Sequence, residues 1–202
     1  QTIGYAGFTD LQDVFRAQLK ARWPEYRERL ARIGGTHDGR TATDELLHGF
    51  VESAIASMER LRNSVSGSDL DRAADILAAA DTIFLLGLRR AFPVTAYLAY
   101  ALGKLGVRAV LVDQVAALGP EQIGAAAVRD ALIAVSFTPY APATVDLARS
   151  AAERKIPIVA ITDSPFSPLA ASASAQIEIV EADYAGFRSL SATMSLAMAL
   201  AV

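Results

Sequence analysis

From position 81 onward, the apolar residues of this chain fall into short continuous runs separated by stretches of helical period. The runs cover 81–87 (DTIFLLG), 107–113, 131–136, 156–163 and 176–180, and are rich in β-branched and aliphatic side chains. Between them, 93–105, 120–127, 142–155 and a brief 168–173 repeat apolar positions at helical spacing, and 187–202 closes as an apolar helix. A run without polar alternation is a strand buried on both faces. Such strands alternating with helices define a parallel sheet covered on each side. With right-handed crossovers this predicts an α/β fold, a five-stranded doubly wound sheet.

The first 80 residues read differently. Thr9 is a good N-cap for an amphipathic helix over 10–22, with Leu11, Val14, Phe15 and Leu19 on one face. Pro24 opens a second short helix that Gly34 and Gly35 end. After a polar linker at 35–40, a long helix is expected over 43–63, with Leu47, Val51, Ala54, Ile55, Met58 and Leu61 as its apolar stripe. Ser66-Gly67-Ser68 breaks it, and 69–80 forms a further helix. The chain opens without Met and its last helix is still apolar at Val202, so both ends are expected to continue in a longer protein.

Composition narrows the chemistry. With 52% hydrophobic and 20% charged residues, the chain can bury a core. Its longest uncharged stretch, 131–145, holds Pro139 and Pro142 and is too short to span a bilayer. There is no Cys and only two His, His37 and His48, so thiolate metal sites, thiol nucleophiles and a Ser-His-Asp triad have little material. No signal or transit pattern opens the chain, which predicts a cytoplasmic location. The net charge of −3 argues against a surface built to grip nucleic acid. It is unevenly spread, at +2 over 1–40, −4 over 41–80 and −1 over 81–202.

In an open parallel sheet, ligands settle beyond the carboxyl ends of the strands where the strand order reverses. With the order 2-1-3-4-5, that crevice lies between the first and third strands. The loop there at 87–93 holds Gly87, Arg89 and Arg90 ahead of a helix N-terminus, which suits an anion; adjacent arginines are equally at home on a solvated surface or a dimer interface. The loop at 136–144 gathers Ser136, Phe137, Thr138, Tyr140 and Thr144, braced by two prolines. Its hydroxyls suit an oxyanion, or else cap the turn itself. Asp163 and Ser164 end the fourth strand as ligand contacts or as turn residues. Arg188, expected just inside the last helix, sits where the dipole disfavours a cation, so a ligand or a carboxylate such as Asp183 should face it.

Enzyme signatures are absent. There is no Walker A run, no Gly-x-Ser-x-Gly elbow and no dinucleotide fingerprint. No His or carboxylate pair stands near the two key loops in sequence, so binding is favoured over turnover.

GLRRAFPVTAYLAYALGKLG, ALIAVSFTPYAPATVDLARSAAERKIPIVAITDSPFSPLA and FRSLSATMSLAMAL resemble the sugar-isomerase (SIS) domain of RpiR-type transcriptional regulators, and IGYAGFTDLQDVFRAQL is similar to the tail of their helix-turn-helix domain. The resemblance implies a SIS-type fold with flavodoxin-like strand order behind an α-helical N-terminal segment. It divides the chain into a head remnant at 1–35, linker and dimerisation helices at 36–80 and an effector-binding domain at 81–202. It places the family's recognition helix upstream of Gln1. It implies operator DNA as a partner through the head, a homodimer or tetramer, no membrane and no cofactor. A phosphosugar cradle of this family reads Ser-x-Ser-Gly-x-Thr. Ser136 and Thr138 match its hydroxyls, Pro139 replaces the Gly, Ala141 the final Thr, and Ala91 the first-loop Ser. Pro removes an amide and forbids positive φ, so that cradle cannot form unchanged.

The expected function is therefore a transcriptional regulator of a catabolic operon, sensing a small anionic metabolite, a sugar phosphate or a carboxylate. The alternative is a phosphosugar isomerase or related enzyme of the same fold.

Overall fold

The computed structural model describes residues 41–202. The helices expected over 10–22 and from Pro24, the linker at 35–40 and the head remnant at 1–35 lie outside the described residues. The described elements are α1 (Ala42–Ser64), α2 (Gly67–Ala78), β1 (Ile83–Gly87), α3 (Phe92–Lys104), β2 (Ala109–Val112), α4 (Gly119–Gly124), β3 (Ala131–Val135), α5 (Pro142–Glu153), β4 (Ile158–Thr162), β5 (Ala175–Glu178), β6 (Asp183–Tyr184), β7 (Phe187–Arg188) and α6 (Ser191–Ala201). Short 3-10 turns stand at Arg89–Ala91, Val115–Ala117 and Ala170–Ser172. The last of these replaces the helix expected over 168–173.

The chain divides into two compact units. In the larger, comprising 56–181 and 190–202, all five main strands run parallel in the order β2-β1-β3-β4-β5. Successive strand residues point to opposite faces, so each apolar run feeds two cores. On one face Ile83, Leu85, Ile133, Val135 and Ile161 pack with Leu77 of α2, Val94 and Leu98 of α3 and Leu196 of α6. On the other Phe84, Leu86, Leu132 and Ile158 meet Ile123 of α4 and Leu147, Ala148 and Ala151 of α5. β1, β3 and β4 are buried along their whole length, as unbroken apolar runs require. Edge strand β2 keeps Val110 partly exposed.

The smaller unit holds, of the described residues, 41–55 and 182–189. Here the sequence expectation fails, because 187–190 does not begin the last helix. Ala185 and Gly186 both take positive φ, 51° and 83°, which closes a two-residue hairpin turn between β6 and β7. The Gly186 amide donates to Asp183 Oδ1 at 2.8 Å. Tyr184 and Phe187 set their rings edge-on to Phe50, with centroids 5.5 and 6.2 Å away. Gly49 allows this packing, since a Cβ there would overlap the Tyr184 ring.

α1 covers the expected span. Its buried positions include Ser53 and Ser57, and the Ser53 hydroxyl donates to the Phe50 carbonyl at 2.9 Å. Most of the apolar stripe read from the sequence is exposed.

Candidate binding site

The strand order reverses between β1 and β3, and Gly87 is in register with Val135. The loops that follow these two strands therefore leave the sheet side by side. Gly87 is needed for close approach: a Cβ there would stand 2.8 Å from Thr95 Cγ2 and 3.2 Å from the Ala91 carbonyl oxygen. The first loop turns tightly at once. Arg89 takes a left-handed backbone with φ 55°, costly for a residue with a Cβ, and its side chain is exposed. Pro93 lies in the first turn of α3, a helix with no side-chain cap.

Arg90 is half-buried, its guanidinium carbon 4.8 Å from the Phe137 ring centroid. That stacking is a cation–π contact and it joins the first loop to the second. Burial pulls the Arg90 pKa down, while the carboxylates of Glu181 and Asp163 hold it up. The cation thus sits in a partly dry setting already answered by two negative charges.

The second loop is tied to the end of β4. The Thr138 amide donates to Asp163 Oδ2 at 2.9 Å, and its hydroxyl to Oδ1 at 3.4 Å. Ser136 is buried and its Oγ accepts from the Ala141 amide at 3.4 Å, closing the turn. Tyr140 is half-buried. Burial raises the pKa of its phenol, a hydrogen bond with Thr138 lowers it, and Asp163 raises it. The Thr138–Pro139 peptide is cis. α5 starts at Pro142 with Ala141 as N-cap and no capping side chain. Thr144, in its first turn, is fully buried, and its Oγ1 has no hydrogen-bond partner. Ser164 Oγ accepts from the Phe166 amide at 3.1 Å, a local turn contact.

The fold thus brings Gly87, Arg90, Phe137, Thr138 and Asp163 to the carboxyl edge of three adjacent strands. Arg188 belongs to the smaller unit, on β7 and not in a helix, with Asp183 its cross-strand partner. The helix-dipole argument for it does not apply. The sequence reading found no carboxylate pair at the two key loops and placed Asp163 on a third, yet the charges of Asp163 and Glu181 both act on Arg90. Glu181 was missed altogether. It is buried, and its Oε1 accepts from the Thr193 amide at 2.9 Å and the Thr193 hydroxyl at 2.8 Å, capping α6, whose N-cap position is Leu190. The available signal was a carboxylate just past a strand, ahead of a helix lacking its own cap. Among the described residues no group of His, Asp and Glu could hold a metal ion, and no helix is long and apolar enough to cross a membrane.

A parallel sheet with helices on both faces and the order β2-β1-β3-β4-β5 defines a doubly wound α/β domain. Residues 76–202 match the family model described as SIS domain, and the chain belongs to that family. No curated protein matches the sequence. Among solved structures, the chain is similar to the sugar isomerase domain of an RpiR transcription factor from Sphaerobacter thermophilus, with 22% identity, a TM-score of 0.74 and coverage of 78% of this chain and 88% of that one. The Vibrio vulnificus NanR protein complexed with ManNAc-6P gives 21% identity and a TM-score of 0.73 over 98% of this chain and 68% of that one. Phosphoheptose isomerase GmhA from Neisseria gonorrhoeae gives 16% identity and a TM-score of 0.65 over 80% of this chain and 98% of that one. At these identities the likeness establishes the fold.

Proposed function

We propose that this chain is the effector-sensing part of an RpiR-type transcriptional regulator of a catabolic operon in the cytoplasm, with residues 1–35 the remnant of the helix-turn-helix domain that meets operator DNA. Its effector is a small anionic metabolite, a sugar phosphate or a carboxylate, received between the loops after β1 and β3. The observation that carries this reading is Arg90 lying on Phe137, a cation joining those two loops at the reversal of strand order. Arg89, Ser136, Thr138, Tyr140, Thr144, Asp163 and Ser164 belong to the loops and helix starts at the same sheet edge. Support comes from two similar folds, one an RpiR transcription factor and the other a NanR protein complexed with ManNAc-6P. Effector binding would favour one arrangement of the protein over another and so change how the DNA-reading parts are presented.

Thermal shift against a panel of sugar phosphates and small carboxylates tests this. A ligand at about 100 times its Kd stabilises by about 2.7 kcal/mol, and Arg90→Met should abolish the gain. A panel that moves the melting temperature of neither protein would overturn the sensor reading.

A second reading, a phosphosugar isomerase, draws on Asp163 and Glu181, whose charges both act on Arg90 and which could hold or move a proton. Turnover of a phosphosugar that disappears in Glu181→Gln would establish it.

A further inference from the structure

The turn after β2 holds a conformation that its own sequence opposes. Gln114, Ala116 and Ala117 have φ of 57°, 53° and 61°, so three of four consecutive residues are left-handed and none is glycine. The other non-glycine residues with positive φ among those described stand singly along the chain. Alanine favours the right-handed helix more than any other residue, and a left-handed backbone is costly for every residue with a Cβ. Such strain persists only where the surrounding structure imposes it.

A latch imposes it here. Gln122 Nε2 donates to Asp113 Oδ1 at 2.9 Å, and Gln122 Oε1 accepts from the Gln114 amide at 3.2 Å. Asp113 Oδ1 also accepts from the Val115 amide at 3.1 Å. The Gln114 side chain lies over Gly119, where a Cβ would stand 2.8 Å from Gln114 Cγ and 3.0 Å from Leu147 Cδ1. The latched turn therefore rests against α5, the helix that follows the second loop.

The strain has one route of relief. A right-handed turn joining α4 is barred, because the Pro120 ring would clash with the Ala116 carbonyl four residues earlier. Release therefore extends the segment. Five residues, 114–118, rise ~2 Å each in a 3-10 turn and ~3.3 Å each when extended, a gain of about 6 Å. Neighbouring strands lie about 4.8 Å apart, which puts the gap between β1 and β3 about 7 Å from β2. The slack is comparable to that span. It would carry Val115 and Leu118, 66% and 48% exposed in the latched turn, toward the crevice.

We propose that 114–118 is a strained strap, latched open by Asp113 and Gln122, which extends over the crevice when a ligand occupies it. What the strap closes on rests on the effector reading above; the strain and the latch stand without it. A ligand gains an apolar cover that excludes water, and release of the strain favours the closed state.

The chain has no cysteine, so introduced thiols report alone. A Val115→Cys, Tyr140→Cys pair forms a disulfide only when the two Cα atoms come within about 7 Å, which requires the strap to reach the second loop. Gln122→Met, which removes both of that residue's latch bonds, should speed disulfide formation at least tenfold. Ala116→Gly with Ala117→Gly, which makes the left-handed turn free of strain, should slow it at least threefold. A merely flexible loop would answer the two glycines with faster formation. That result, or a rate that Gln122→Met leaves unchanged, would overturn the proposal. With Val115 and Tyr140 intact, those sugar phosphates and small carboxylates that raise the melting temperature should bind the double glycine variant about tenfold more weakly and Gln122→Met more tightly. Affinities that change in neither variant would remove the strap's role in closure. If no compound raises the melting temperature, the effector reading fails and the disulfide rates still decide on the strap.

Discussion

Replacing Thr144 by Val should make the protein more stable and a poorer anion binder. The Thr144 hydroxyl is fully buried in the first turn of α5 and has no hydrogen-bond partner. A buried polar group left unsatisfied costs about 1–3 kcal/mol. Valine keeps the β-branched shape, puts a methyl where the hydroxyl was, and differs little from threonine in helix propensity. The expected gain is therefore about 1–2 kcal/mol, which for a domain of this size is a rise of roughly 3–6 °C in melting temperature. Chemical and thermal unfolding followed by circular dichroism at neutral pH give the number directly. Adding inorganic phosphate or an active sugar phosphate should then narrow the gap, because the native protein gains binding energy through a hydroxyl that the variant lacks. If Thr144→Val is less stable than its parent, the hydroxyl is satisfied and holds the helix start. If it is more stable but responds to anions as its parent does, Thr144 lies outside the site.

Two further outcomes follow from the same geometry. Gly87→Ala drives a Cβ to 2.8 Å from Thr95 Cγ2 and 3.2 Å from a backbone oxygen, so the turn carrying Arg90 must shift; overpacking of this kind costs about 1–3 kcal/mol, measurable by urea unfolding, and adding Thr95→Ser should return part of the loss. Asp113 accepts from Gln122 Nε2 at 2.9 Å and from the Val115 amide at 3.1 Å, which holds its carboxyl below the ordinary range. Its stabilisation is thus present above the ordinary carboxylate pKa and disappears as the pH falls through the lowered value, so the protection of the Val115 amide, its intrinsic exchange rate divided by the observed rate at each pH, should weaken on acidification in the parent and show no such step in Asp113→Asn.

The sheet was legible in the chain because its evidence is local and repeated. Each of 81–87, 131–136 and 156–163 is apolar on both faces, and only a strand covered on two sides uses such a run. The crevice followed from the strand order, and the arginine pair and hydroxyl loop from their positions after β1 and β3. What escaped depended on partners distant in sequence. The hairpin at 183–188 is written in two left-handed residues, of which only Gly186 advertises itself. Glu181 looks like a stray surface charge until α6 is folded back to offer Thr193. The stripe on α1 was visible at helical spacing, but spacing alone does not say whether a face turns inward, and here Ser53 and Ser57 take the inward positions. Asp163 read equally well as turn chemistry, and only the parallel register of β3 with β4 sets it under Thr138.

The bond between Asp163 and Thr138 also bears on which molecules can enter. That carboxylate cannot swing aside without freeing the second loop, so on the proposed reading an acidic group is fixed beside the entering ligand. A ligand carrying negative charge at both ends would meet repulsion there. One that carries its charge at a single end and hydroxyls at the other could turn its neutral end to the acid, and discrimination would then arise as much from exclusion as from attraction.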